Sequence, residues 1–134
     1  MKVLVVGKGE IARKIGEGAA DAGATVEYSE DYRSGFELVF LDASKASEQI
    51  SGNTAVFYVK GLELGNKMEK AVSKLPNARI VNQIFLEKKG ILKNRLDEID
   101  LERARAFGER TVRNLTGRRF EKKSEKQKIK GYRK

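Results

Sequence analysis

The run of residues 2–6 (KVLVV), which stops at Gly7 and gives way within three residues to a helical pattern, constrains this chain more than any other feature. A short Val-rich stretch without polar alternation reads as a strand buried on both faces, the signature of a parallel sheet with helices on either side. From residue 10 to about residue 22, Ile11, Ile15 and Ala19 recur at helical spacing beside the small Ala12, Gly16 and Gly18. Arg13, Lys14, Glu17 and Asp21 fall on the opposite side. The pattern predicts a helix lying close on a sheet, with Gly23 placed to cap its C-terminus.

Further along, residues 25–29 (TVEYS), 37–41 (ELVFL), 54–59 (TAVFYV) and 79–83 (RIVNQ) read as four more strands. Residues 44–51 predict a short helix capped by Ser44, and residues 65–75 a helix closed by Pro76. Strand and helix alternate, so the expected fold is a three-layer α/β domain with a mostly parallel five-stranded sheet over residues 1–91. One junction is tight. Residues 30–36 must join two strands, and seven extended residues reach roughly 23 Å, enough for a crossover but not for one that contains a helix. Residues 92–116 read as one long C-terminal helix or a broken pair. Leu92, Leu96, Ile99, Ala106, Phe107 and Leu115 supply its apolar stripe, with Arg103, Gly108 and Arg110 interrupting it.

Composition narrows the chemistry. The chain has 134 residues with neither Cys nor His, so thiolate nucleophiles, Cys/His zinc sites and imidazole acid–base catalysis are excluded. A single domain of this length buries roughly two-thirds of its unfolded surface and needs no disulfide or metal to hold it. No apolar stretch approaches the ~18 residues of a membrane span, and the start lacks the layout of a signal peptide, so a cytoplasmic protein without membrane insertion is expected. The Lys- and Glu-rich, Gln-poor balance matches that reported for proteins from hot environments.

The formal net charge is +9, from 28 Lys plus Arg against 19 Asp plus Glu, but it is unevenly placed. Residues 117–134 hold nine of the cations and two Glu, which leaves residues 1–116 nearly neutral. With few large apolar residues, this basic tail is expected to be disordered on its own.

The turn after the first strand has its own chemistry. Gly7, Gly9 and Ala12 spell G-x-G-x-x-A between strand and helix, and Glu30 follows at the end of the second strand. The first Gly permits the tight turn, the second lets the backbone approach a phosphate, and the small third residue allows close helix packing. Amides at the helix start face the anion, and Glu30 is placed to accept hydrogen bonds from a ribose diol.

On these residues the chain resembles the NAD(P)-binding Rossmann family, especially small single-domain nucleotide-binding modules. The resemblance implies a Rossmann-like fold that binds an adenine dinucleotide, NAD(H) before others. Gly7, Gly9 and Ala12 would then flank the pyrophosphate, with Lys8, Glu10 and Ile11 between them, and Glu30 would hold the ribose. Glu10 must turn outward to avoid repelling the phosphates. The alternative is that the two glycines only make a tight turn.

Asp42 and Lys60, predicted at strand ends on the same edge as Ser44, Asn82 and Gln83, complete the candidate binding set. They read either as a phosphate contact with its orienting partner or as a capping Asp and a solvated Lys. A strand-end Asp and Lys also resemble phosphoacceptor receiver domains, but Gly-Lys-Gly stands where that family needs an acidic pair.

The expected role is a sensor or a subunit and not a complete enzyme, with a homodimer through the long helix as one assembly. A second role is binding nucleic acid through Arg118, Arg119, Lys122, Lys123, Lys126, Lys128, Lys130, Arg133 and Lys134, with Phe120 and Tyr132 stacking on bases. The alternative is a solubilising tail.

Overall fold

The computed structural model describes residues 1–60, 68–88 and 97–117 with their side chains, and the backbone alone of residues 67 and 118–131. Five strands, β1 (Lys2–Val6), β2 (Thr25–Ser29), β3 (Leu38–Asp42), β4 (Gly52–Lys60) and β5 (Ala78–Glu87), form one sheet in the order β2-β1-β3-β4-β5. Every pairing is parallel, with Val5 opposite both Tyr28 and Phe40, and Phe40 opposite Ala55. Three α-helices, α1 (Glu10–Asp21), α2 (Lys67–Ser73) and α3 (Glu98–Gly131), and a 3₁₀ turn (Ala43–Lys45) cover it. The expected α/β fold with a parallel five-stranded sheet and a C-terminal helix is therefore present, and the sheet is wholly parallel.

The period-two alternation of the buried strands divides the core in two. Val3, Val5, Leu38, Phe40, Ala55, Phe57 and Leu86 face α1 and α3. Leu4, Val6, Val39, Leu41, Val56 and Tyr58 face α2 and the 3₁₀ turn.

The two helices on the first face approach through glycine. A Cβ on Gly18 would fall against the backbone carbonyl of Arg105, and one on Gly108 against that of Ile15. Gly108, which interrupts the apolar pattern of the sequence, thus does not break the helix; it is where α1 seats. Phe107 meets Phe40 edge to face at 5.8 Å, Asn82 Nδ2 donates to Thr111 Oγ1 at 3.0 Å, and Arg105 pairs with Asp21 at the end of α1.

The crossover from β2 to β3 passes β1 without a helix, as the spacing required. It runs over the second face, where half-buried Tyr32 and Phe36 pack against that core. The Glu37 amide donates to the Lys2 carbonyl at 2.9 Å, and Arg33, bonded to Glu27 at 2.9 Å, lies over the Phe36 ring.

Several boundaries differ from expectation. The helix predicted over 44–51 shrinks to the 3₁₀ turn, and β5 runs four residues further than residue 83. The helix expected over 65–75 is described from residue 67 to residue 73. Leu92 and Leu96 of the expected stripe lie outside the described residues. The backbone of α3 is helical to Gly131. Lys, Arg, Glu and Gln are all good helix formers and extend a helix already nucleated on the domain. Among the described residues, no helix is long and apolar enough to cross a membrane.

Candidate functional site

Order β2-β1-β3 means that the chain leaves β1 in one direction and returns to its other side by way of β3. Ligands of open α/β sheets bind outside the carboxyl ends of the strands at such a switch point. The β1–α1 turn occupies it.

Gly7 has φ 144° and Gly9 φ 98°, values that residues with a Cβ rarely adopt. The Gly7 amide donates to the Ser29 carbonyl at 2.9 Å, locking the turn to the end of β2. On its other side a Cβ would lie 3.1 Å from the Asp42 Cβ and 3.1 Å from the Phe57 ring, so only glycine fits between β2 and β3. Gly9 is the N-cap of α1 and offers no side-chain hydrogen bond to it. The first-turn amides thus keep their hydrogen-bonding capacity for an anion, aided by the helix dipole. A Cβ on Gly9 would meet nothing within 4 Å, so the space before the turn is open.

Glu10, the awkward carboxylate of the sequence reading, lies 3.8 Å from Arg13 one turn along α1 and is exposed. Lys8 is exposed on the turn. Ile11 and Ala12 are core residues, 4% and 2% exposed, whose side chains pack on the sheet; only their amides can serve a ligand.

Glu30 follows Ser29 directly and is exposed, one strand from the turn. The Ser29 hydroxyl donates to the Asp31 carbonyl at 2.8 Å and accepts from its amide at 3.1 Å, which fixes the path of the chain past Glu30. Asp42 caps the 3₁₀ turn: its Oδ1 accepts from the Ser44 amide at 2.9 Å and the Ser44 hydroxyl at 2.8 Å. No ion pair joins Asp42 to Lys60 among the described residues, and register puts Asp42 opposite Phe57, three residues before Lys60. The structure thus brings Gly7, Gly9, Glu30 and Asp42 to one edge and leaves Lys60 a strand away. Asn82 and Gln83, expected at this edge, sit inside β5 opposite Ala55 and Val56, because the strand continues to Glu87. Arg118, Arg119, Lys122, Lys123, Lys126, Lys128 and Lys130 fall on the helical backbone of α3; Tyr132, Arg133 and Lys134 lie outside the described residues.

Tyr28 is perturbed by its place against α1. Its ring covers Gly16, its hydroxyl donates to the Arg13 carbonyl at 3.3 Å, and burial, then the Glu17 carboxylate, push its phenol above the ordinary range while Arg13 opposes. Sequence reasoning did not anticipate a cleft of about 400 Å3 between the 3₁₀ turn and α2, bordered by Tyr58, Lys70 and Lys74. The one signal for it was the four-residue spacing of the two lysines on a predicted helix.

No protein-family model matches the chain, and no curated protein matches it. Solved structures do. A flavodoxin from the domain Archaea superposes with a TM-score of 0.58 at 14% identity, over 87% of this chain and 99% of that one. The two-electron reduced flavodoxin of Megasphaera elsdenii gives a TM-score of 0.54 at 15% identity, over 84% and 99%. At this identity the likeness is one of fold, a flavodoxin-like α/β architecture.

The expectation of NAD is overturned by these neighbours, since flavodoxins bind FMN and not NAD. The topology supplies the physical reason. Dinucleotide-binding Rossmann folds join two mononucleotide-binding halves in the order 3-2-1-4-5-6. The present sheet has the order 2-1-3-4-5, and a second half has no counterpart among the described residues.

Proposed function

We propose that this chain binds a phosphorylated mononucleotide cofactor, FMN, with its phosphate on the β1–α1 turn. The observation that carries the reading is the start of α1: a helix whose cap is a positive-φ glycine without a side chain, opening onto free space at the switch point between β1 and β3. Backbone amides and the helix dipole make such an end an anion site. The residues present fit a phosphate. Lys8 adds a cation on the turn, and Glu10 is drawn to Arg13 and away from the amides. The flavodoxin-like fold supports a flavin over a dinucleotide.

In this reading Gly7 and Gly9 shape the turn, the amides of residues 9–12 hold the phosphate, and Asp42 props the turn from β3. A bound flavin supplies electron and hydride transfer that the side chains, lacking Cys and His, do not. The protein is then a small cofactor-binding module and not an enzyme with its own acid–base apparatus. Titration of the full chain with FMN, followed by flavin fluorescence, tests this. Binding should be lost in Gly9→Asp, which sets a carboxylate before the amides, and weakened several-fold in Lys8→Glu. Equal binding by the parent and Gly9→Asp would overturn the reading.

A second reading has its own observation: α3 is unbroken to Gly131, so seven cations between residues 118 and 130 share one helical backbone about 18 Å long. That length matches about five phosphates of one DNA strand at ~3.4 Å each. Sequence-independent nucleic-acid binding would show as an affinity of the full chain that falls steeply with salt. Replacing Lys122, Lys123 and Lys126 by Gln should reduce that slope by about 2 to 3; an unchanged slope removes the helix from the account.

A further inference from the structure

The cleft between the 3₁₀ turn and α2 lies on the second face of the sheet, beyond Asp42 and away from α1. Its lining combines three alanines, Ala43, Ala46 and Ala71, with the ring of Tyr58, Ser44, and the two lysines Lys70 and Lys74. Ala43, Tyr58 and Ala71 are buried at 7%, 6% and 4% exposure, so the concavity is apolar and its room comes from the small size of the side chains around it. At about 400 Å3 it is within the range of small-molecule sites.

The charges of the lining are of one sign. Lys70 lies on α2 and Lys74 in the turn that follows it, and both are exposed at the border of the cleft. Neither forms an ion pair with a described carboxylate. Asp42, which is bonded to the lining residue Ser44, is committed, since its Oδ1 accepts from both the amide and the hydroxyl of Ser44. An apolar concavity with two ammonium groups that have no ion pair among the described residues suits an anion with a carbon body. The anion pairs with the lysine ammonium groups, and the body displaces water from alanine and tyrosine surface.

We propose that this cleft is a second ligand site, separate from the β1–α1 turn, which takes a small organic dianion: a phosphate monoester or a dicarboxylate on a short apolar body. The proposal does not rest on the flavin reading, because it uses other residues on another part of the sheet.

The test uses the full chain labelled with ¹⁵N, titrated with phenyl phosphate, succinate, inorganic phosphate and phenol. Phenyl phosphate or succinate should move the amides of Ala43, Ser44, Ala46, Tyr58 and Ala71, and saturate at concentrations at least tenfold below phenol. Whichever of the two is tighter identifies the anionic head. The exposed pair Lys70→Gln with Lys74→Gln should weaken binding tenfold or more, whereas Lys45→Gln, on the 3₁₀ turn but outside the lining, should not. Ala46→Leu, which fills the space and leaves the charge, should also weaken it; if that variant unfolds, the lysine pair still decides. Phenol binding as tightly as phenyl phosphate, inorganic phosphate binding as tightly as both organic anions, or full affinity in the double Gln variant would overturn the proposal. FMN titrated into the double Gln variant separates the two sites. Unchanged FMN affinity with lost phenyl phosphate binding supports two sites, and joint loss of both contradicts their separation.

Discussion

One face of the sheet is sealed by two helices in backbone contact, and the other by a helix-free crossover, a 3₁₀ turn and a helix of seven residues. On the first, Gly18 and Gly108 let α1 and α3 touch main chain to main chain, and the buried side chains between them and the sheet leave no described cleft. On the second, Tyr32 and Phe36 drape over the sheet and alanines line a hollow. The difference separates two tasks. The first face supplies stability through close packing, which tolerates no added atom. The second, with the edge it shares with the β1–α1 turn, leaves space and exposed charge where a ligand can sit.

Substitution at the helix contact should break this contrast most severely. Gly18→Ala or Gly108→Ala drives a methyl into a backbone carbonyl that cannot move aside, and should cost about 3 kcal/mol or more in denaturant unfolding. A cost below about 1 kcal/mol would mean that the helices are not seated there. Truncating a large side chain on each face sharpens the comparison: Phe107→Ala should cost about 4 kcal/mol and Leu75→Ala about 2 kcal/mol, because the thinner face can collapse around its gap. Equal costs would argue that both faces are packed alike. Asp42→Ala removes the cap of the 3₁₀ turn and should lower stability by about 1 kcal/mol, with backbone shifts that reach Gly7, which only glycine lets lie so close to Asp42.

The smallest effect is one of pH. The native Tyr28 phenol is raised above its ordinary value of about 10. The folded state therefore holds its proton more tightly than the unfolded chain does. That contribution is fully present below pH ~10 and is lost as the pH climbs through the raised native value. Tyr28→Phe should flatten the alkaline limb of the stability curve slightly; an unchanged limb would assign the slope to other groups.

The residues that proclaim themselves in the sequence are those whose role is local. The KVLVV strand, the glycine turn and α1 follow from burial period and backbone conformation over about twenty residues. So did the helix-free crossover, because seven residues limit reach whatever they pack against. What escaped depends on distant partners. Gly108 looks like a helix breaker until Ile15 is seen opposite it, and Asn82 looks like an edge residue until β5 is found to extend to Glu87 along β4. The dinucleotide expectation failed for a similar reason: the motif around Gly7 is shared by both strand orders, and only the placement of β3 beside β1 distinguishes them. The spacing of Lys70 and Lys74 could not show the cleft by itself, since its sides come from elements about thirty residues apart.

The central claim, that the β1–α1 turn holds the phosphate of a flavin mononucleotide, can be isolated by comparing FMN with riboflavin, which has the same ring system and no phosphate. Calorimetric titration of the full chain should give FMN at least a tenfold tighter dissociation constant than riboflavin, with that advantage abolished in Gly9→Asp. Equal affinities for the two flavins, or no binding of FMN at millimolar concentration, would contradict it.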